Sequence, residues 1–287
     1  MAAPPKSRLP RWLVIASYPV AALVLILFFI FLGFPYNQLA QRLGRIVESN
    51  TNIQIRIGDL SPQIGLGGPE LAASEGLARI EDKQPIVIER MVLRPAWSLS
   101  WFRAQPAIYL DVTSDVGDVS GTLILGSDWG WDGTLEHVHF DLLPLEMIET
   151  FDLHGNLDAT IDLQRTTTEA GSGFVGRVEF DLREGTLRTE GLPIALPFES
   201  LHGRLDFGGE KYIHLSGVEL QGPLLDGTIQ GDVGYATGSS GQPISIDVAF
   251  RLRNDGLASM LGAVAGQGED GRSHIQITGT LARPVIR

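Results

Sequence analysis

Residues 244–252 read ISIDVAFRL, and apolar side chains occupy every second position of this stretch. The apolar series begins at Ile244 and ends at Leu252, while Asp247 and Arg251 lie between its members. Successive side chains of a β-strand point to opposite faces of a sheet, so this alternation predicts a strand with one apolar and one polar face.

The same period of two recurs along most of the chain after residue 51. It appears in NIQIRI (52–57), AIYLDV (107–112), NLDATIDL (156–163), RVEFDL (177–182), RLDF (204–207), YIHL (212–215), TIQGDVGY (228–235) and HIQITGTL (274–281). Glycine, proline and aspartate residues separate these segments, as they do in tight turns. We therefore predict a mainly β domain of about a dozen antiparallel strands.

The apolar positions of the C-terminal half are the candidate lining of a groove. They are Val178, Phe180, Leu182, Leu205, Phe207, Ile213, Leu215, Ile229, Val233, Ile246, Val248, Phe250, Ile275 and Ile277. Only residues 143–151 and 254–266 fit short helices, which are too few to cover so large a face. Three arrangements are compatible with this pattern: two packed sheets, a closed barrel, or a curled sheet whose inner face is covered by something other than protein.

A repeated phrase of glycine, one residue and then leucine or isoleucine favours the curled sheet. It occurs at Gly121, Gly133, Gly155, Gly185, Gly203, Gly227 and Gly279. Most copies share the phase of the apolar residues, and glycine within a strand is typical of sharp bends and close approaches. Taken singly, each copy also fits an ordinary glycine that follows a tight turn.

The N-terminus predicts a membrane anchor. From Trp12 to Phe34 the chain has 23 residues without a charge. As a helix this stretch spans roughly 34 Å, enough for a bilayer core of about 30 Å. A cleaved signal peptide is the competing interpretation, but its apolar region is normally about 7 to 15 residues long. We therefore predict an uncleaved transmembrane helix over residues 12–34.

The flanks of this stretch predict its orientation. Lys6, Arg8 and Arg11 precede it, and no charge follows it before Arg42. The positive-inside rule then places residues 1–11 in the cytoplasm and the rest across the membrane. Residues 35–50 have the apolar spacing of an amphipathic stem helix, and residues 51–287 form the β domain.

Charge and motifs weigh against several functional classes. The net charge of −12 disfavours a nucleic-acid partner, and the lack of cysteine excludes disulfides and thiolate metal sites. No nucleophile, zinc-protease or phosphate-loop motif occurs. His137, His139 and Asp141 share the polar phase of one predicted strand, which fits a solvated surface better than a metal site. We expect no enzyme activity, no metal and no cofactor.

Aromatic residues cluster at two places. Trp97, Trp101 and Phe102 fit packing at a joint between strands, with a membrane-interface or partner contact as the alternative. Trp129 and Trp131 stand in a polar setting that favours a contact surface.

Three longer segments carry a resemblance. TNIQIRIGDLSP (51–62) and PIVIERMVLRPAWSLSWFRAQPAIYLDV (85–112) resemble the N-terminal half of AsmA-like proteins, and SLHGRLDFGGEKYIHLSGVELQGPLLDGTIQGDV (200–233) resembles their C-terminal half. With a single anchor and this length, the pattern is most similar to the protein N family (GspN) of type II (general) secretion systems.

The resemblance implies a periplasmic, taco-like curled sheet held at the bacterial inner membrane. The expected function is that of a non-enzymatic accessory of the type II secretion apparatus, acting by contacts with other secretion-system proteins. The alternative is a lipid-binding or lipid-transfer module whose apolar groove shields phospholipid acyl chains.

Overall fold

In a computed structural model of the chain, 16 strands form one large antiparallel sheet that is not closed. The structure describes residues 11–51, 53–65, 68–80, 85–96, 105–126, 128–142, 151–168, 171–189, 195–209, 212–234, 242–253, 266–267, 272–280 and 283–286. The protein is therefore mainly β with few short helices, as predicted, and the sheet is neither a barrel nor a pair of packed sheets.

The strands follow one another closely along the chain. They are β1 (Ile53–Arg56), β2 (Asp59–Gly65), β3 (Gly68–Ile80), β4 (Ile86–Pro95), β5 (Ala107–Ser114), β6 (Gly117–Ile124), β7 (Gly130–His139), β8 (Phe151–Thr168), β9 (Gly171–Thr189), β10 (Leu196–Gly208), β11 (Tyr212–Gln221), β12 (Leu225–Gly234), β13 (Pro243–Leu252), β14 (Gly266–Gln267), β15 (Ser273–Thr280) and β16 (Arg283–Ile286).

The sheet is a meander, because each strand from β3 to β12 pairs with its sequence neighbours. At the N-terminal edge, β3 is long enough to pair with both β1 and β2. At the C-terminal edge, β15 pairs with β13 on one side and with both β14 and β16 on the other. Short turns between antiparallel neighbours explain this order, since sequential strands need no crossover.

Two helices precede the sheet. Helix α1 covers Arg11–Gly33 and helix α2 covers Tyr36–Thr51. Phe34 lies between them, and its ring contacts that of Tyr36 with the centroids 5.2 Å apart. Among the residues whose side chains the structure describes, no helix is both long enough and apolar enough to cross a membrane. The anchor over residues 12–34, which begins with Trp12 in α1, therefore stays a prediction.

Helix α2 packs on the sheet through its apolar side. Tyr36 and Ala40 are buried against Leu60 of β2 and Ala73 of β3. Burial also raises the pKa of the Tyr36 phenol above its ordinary value, because the charged form would lose its hydration. The amphipathic pattern of the stem is thus explained by packing on the β domain.

Bulges interrupt the regular alternation at several points. The pairing register shifts where His137 and Glu184 have positive φ angles of 53° and 51°, and it shifts again between Ile88 and Arg90 of β4. Each bulge adds a residue to one strand and so restores the apolar phase after a polar pair. For this reason β7 brings Leu135 and Val138 to the same face although three positions separate them.

The largest buried cluster lies at one end of the strands in the middle of the sheet. Leu182 is 1% exposed there, and Val138, Leu157 and Phe198 are buried around it. The remaining members are Val116, Ala159 and Leu220. This cluster gives the sheet a dry core along one margin, and a smaller buried cluster lies beneath α2.

Three expectations need correction or lie outside the described residues. The strand predicted at 274–281 is not the last one of the sheet. A further strand, β16, pairs with the outer edge of β15, and Pro284 pairs with Gly279. The predicted strand through His137, His139 and Asp141 ends at His139, and a 3-10 helix, Phe140–Leu142, follows it. The helices predicted at 143–151 and 254–266, and Trp97, Trp101 and Phe102, fall almost wholly outside the described residues.

Candidate functional site

One unbroken row of apolar residues and glycines crosses the sheet. We call it the central row, and each member pairs directly with the next in the strand ladder. It consists of Pro62, Leu71, Leu93, Leu110, Gly121, Gly133, Ile161, Val178, Leu205, Leu215, Gly231, Ile246, Ile277 and Ile286. Directly paired residues share a face, so the row is a continuous apolar stripe from β2 to β16.

Parallel rows lie two positions away on either side. The second row contains Leu60, Ala73, Met91, Val112, Val119, Leu135, Ala159, Phe180, Gly203, Val218, Ile229, Val248 and Ile275. The third row contains Pro95, Ile108, Leu123, Trp131, Leu163, Gly176, Phe207, Ile213, Val233, Ile244, Gly279 and Pro284.

A fourth row flanks the second and reaches the buried cluster. It contains Val138, Leu157, Leu182, Leu201, Leu220, Gly227, Phe250 and, at its end, Ser273. We call the four rows together the apolar face. Side chains one position away in each strand point to the opposite, polar face.

All fourteen residues predicted to line a groove lie on the apolar face. The central row holds Val178, Leu205, Leu215, Ile246 and Ile277; the second row holds Phe180, Ile229, Val248 and Ile275; the third row holds Phe207, Ile213 and Val233; the fourth row holds Leu182 and Phe250. The structure therefore brings them together as one surface. It also extends that surface over β2–β8, where bulges and short segments hide the alternation from sequence inspection.

The four rows differ in exposure. Leu182 and Phe250 of the fourth row are 1% and 8% exposed. The other twelve of the fourteen predicted residues are only half-buried. Within the described residues, the apolar face is thus a dry core along one margin and an open surface elsewhere.

Glycines on this face bring neighbouring strands and one large ring close together. Gly121 and Gly133 pair directly, and a methyl group added to either would lie 2.7 Å from the other's Cα. The same methyl group on Gly121 would lie 2.7 Å from Cζ2 of Trp131. The indole of Trp131 therefore covers the two glycines, and no larger residue fits beneath it without displacing a strand.

The polar face carries paired charges instead of a catalytic constellation. Arg183 donates from Nε to Asp181 at 2.8 Å, and Arg253 donates from Nε to Asp226 at 2.8 Å. The hydrogen bond from Arg253 lowers the pKa of Asp226 below its ordinary value, although partial desolvation opposes the shift. Exposed pairs of this kind contribute little to stability because solvent screens them.

Two open depressions lie over this polar surface. One of about 430 Å³ is lined partly by Asp226, Arg251, Arg253 and Arg272. The other, of about 350 Å³, is lined partly by Asp158, Glu179 and Asp181. In the first depression Arg253 is paired with Asp226, and in the second Asp181 and Glu179 are paired with Arg183 and Arg204, so each depression contains paired charges.

The histidines singled out in the sequence do not form a metal site. His137 and His139 are exposed, and the backbone N–H of His137 donates to Asp158 Oδ1 at 2.8 Å. Across the described ranges, no group of three histidine or acidic side chains is placed to hold a metal ion.

Comparisons with models of protein families, with curated proteins and with solved structures find no match to this chain. The assignment of a function therefore depends on the geometry of the sheet and its helices.

Proposed function

We propose that this protein is a membrane-anchored module whose apolar sheet face binds lipid acyl chains. The observation that carries the proposal is the uninterrupted apolar face. The apolar side chains of the central row remain half-buried from β2 to β15, as do most of those in the second and third rows, whereas a dry protein core would bury them. Surfaces of this kind on a protein are typical of binding sites for apolar ligands or partners.

The N-terminal helices support a place beside a membrane. The described apolar side chains of α1 are exposed; Tyr18 is 72% exposed and Phe29 is 67% exposed. Water disfavours such a surface, while a bilayer favours it. Helix α2 follows after two residues and packs on β2 and β3, so the sheet begins close to the end of α1.

We further propose that the sheet curls around its apolar face in a taco-like form. Glycines of the central row support this shape, because a side chain at Gly121, Gly133 or Gly231 would collide with the neighbouring strand, and such close approaches are typical of bends in a sheet. Natural right-handed twist adds to the curl in a sheet of so many strands. A curled sheet would shield acyl chains from water on three sides.

Location follows from the same proposal. Residues 1–11 would lie in the cytoplasm and the β domain in the periplasm of a bacterial inner membrane, with a single crossing between them. A role in type II secretion through contacts with other secretion proteins rests on the resemblance alone and stays a prediction. The half-buried rows favour the lipid ligand, because no described protein segment covers them beyond α2.

The test is photo-crosslinking in living cells whose phospholipids carry ³²P. A photoreactive phenylalanine analogue at Val178 should capture labelled lipid on illumination, because Val178 lies in the central row. The matched control places the analogue at Glu179, one position along the same strand and on the polar face. Equal labelling at both positions, or labelling at neither, would refute the lipid-binding function.

A further inference from the structure

One basic residue interrupts the apolar phase of the sheet. Arg165 lies two positions beyond Leu163 in β8, and the register between the two is regular. Its side chain therefore shares the apolar face. In the described strands it is the only arginine or lysine in that phase, although the acidic Glu199 lies two positions before Leu201 in β10.

Two aromatic residues flank this arginine at the rim of the face. Arg165 pairs with Phe174 of β9, and its backbone N–H donates to the carbonyl of Trp129 at 2.8 Å. The rings of Trp129 and Phe174 meet edge to face with centroids 5.6 Å apart. Strand β7 begins at Gly130 and strand β10 ends at Gly208, so the apolar rows end at this level.

Among the described residues, no acidic side chain is paired with Arg165. Arg183 and Arg204 of the neighbouring strands have acidic partners on the polar face, and Arg204 lies 2.8 Å from Glu179. Within the described ranges, the guanidinium of Arg165 makes no hydrogen bond and no ion pair. An unpaired guanidinium beside half-buried apolar side chains is poorly solvated and favours an anion that brings its own apolar groups.

We propose that Arg165, with Trp129 and Phe174, binds the phosphate of a phospholipid headgroup while the acyl chains lie on the rows beneath. Guanidinium groups bind phosphate oxygens through two parallel hydrogen bonds, and tryptophan favours the level where headgroups meet acyl chains. This inference rests on the proposed lipid-binding function. It adds that the site selects lipids whose headgroup carries a phosphate.

The test uses the full chain, freed of lipid and held in amphipol, with fluorescent phosphatidylglycerol and a diacylglycerol of the same chains as probes. Arg165→Gln should weaken phosphatidylglycerol binding by about 10-fold or more, as expected for the loss of a charge-assisted contact, and leave diacylglycerol binding unchanged. Arg165→Lys should retain part of the difference in affinity between phosphatidylglycerol and diacylglycerol. Arg177→Gln, on the polar face of β9, should change neither affinity and is the matched control.

Each outcome distinguishes between a structural role for Arg165, a site for a lipid headgroup and a site for free phosphate. If Arg165→Gln weakens both probes equally, the residue has a structural role and the headgroup site is wrong. If it weakens neither, the phosphate binds elsewhere and the inference is wrong, while binding of both probes still supports the lipid-binding function. If millimolar inorganic phosphate displaces phosphatidylglycerol, the site takes a free phosphate and the lipid headgroup is excluded. If the unaltered protein binds neither probe, the proposed function itself fails.

Discussion

Replacing two leucines of the apolar face by alanine tests whether that face is open. Leu182 in the fourth row is 1% exposed, whereas Leu205 in the central row is half-buried. Both substitutions, Leu182→Ala and Leu205→Ala, remove the same three carbons from neighbouring strands. The two positions therefore differ in their surroundings and not in their chemistry.

The expected losses of stability differ several-fold. At about 0.8 kcal/mol per buried CH₂, the removal of three carbons costs roughly 2.4 kcal/mol at a fully buried site. The closed cavity left at Leu182 raises this to about 3–5 kcal/mol. At Leu205 about half of the transfer term applies and water or lipid enters the space, so we expect about 1 kcal/mol.

Thermal unfolding of the lipid-free full chain in a mild detergent measures the difference. A domain of this size loses about 2–4 °C in Tm per kcal/mol, so Leu182→Ala should lower Tm by about 6–20 °C and Leu205→Ala by about 2–4 °C. Both variants are compared at one scan rate, since unfolding of such a chain need not be reversible. Equal shifts would show that the central row is a dry core, and the open apolar face would be abandoned.

Two further predictions concern single contacts. Gly133→Ala should destabilise the domain by about 1–3 kcal/mol because the new methyl group meets Gly121 and Trp131. Chemical denaturation should show this loss. Gly208→Ala, where the new methyl group has no atom within 4 Å, should unfold like the unaltered protein. Arg253→Gln should cause a small, salt-sensitive loss of stability at neutral pH. The lowered pKa of Asp226 makes its contribution complete above the unfolded value of about 3.9, so the loss should shrink as the pH falls from there through the folded value. A difference that does not shrink as the pH falls below about 3.9 would contradict the ionic explanation.

The alternation of apolar residues was sufficient to predict the C-terminal half of the sheet. Strands β9 to β13 have regular runs such as RVEFDL and ISIDVAFRL, and the register places their apolar residues on one face. In β4 and β7 a bulge shifts the phase by one residue, as at His137. A fixed period of two does not detect these shifts, and it also extends the predicted strand through Asp141, which lies in the 3-10 helix that follows His139.

The candidate headgroup site was beyond sequence inspection for a different reason. Trp129 was recognised as a contact residue, but Phe174 and Arg165 are distant from it along the chain. Their meeting depends on the pairing register of β7, β8 and β9, which turn residues alone do not fix. The sequence contains one indication of this site: Arg165 lies in the apolar phase of NLDATIDLQR, two residues after Leu163.

The length of the central row bears on how much ligand the face can hold. Its fourteen members are separated by thirteen strand spacings. At about 4.8 Å each, these spacings give a contour of roughly 62 Å, about twice the thickness of a bilayer core. A single phospholipid cannot cover a surface of that extent. Arg165 lies near the middle of it, on β8, so in the proposed arrangement it would hold the headgroup of one lipid while the rows toward β2 and β16 would stay free for further chains. If the face binds lipid as proposed, its dimensions suit several acyl chains with one phosphate-selective position.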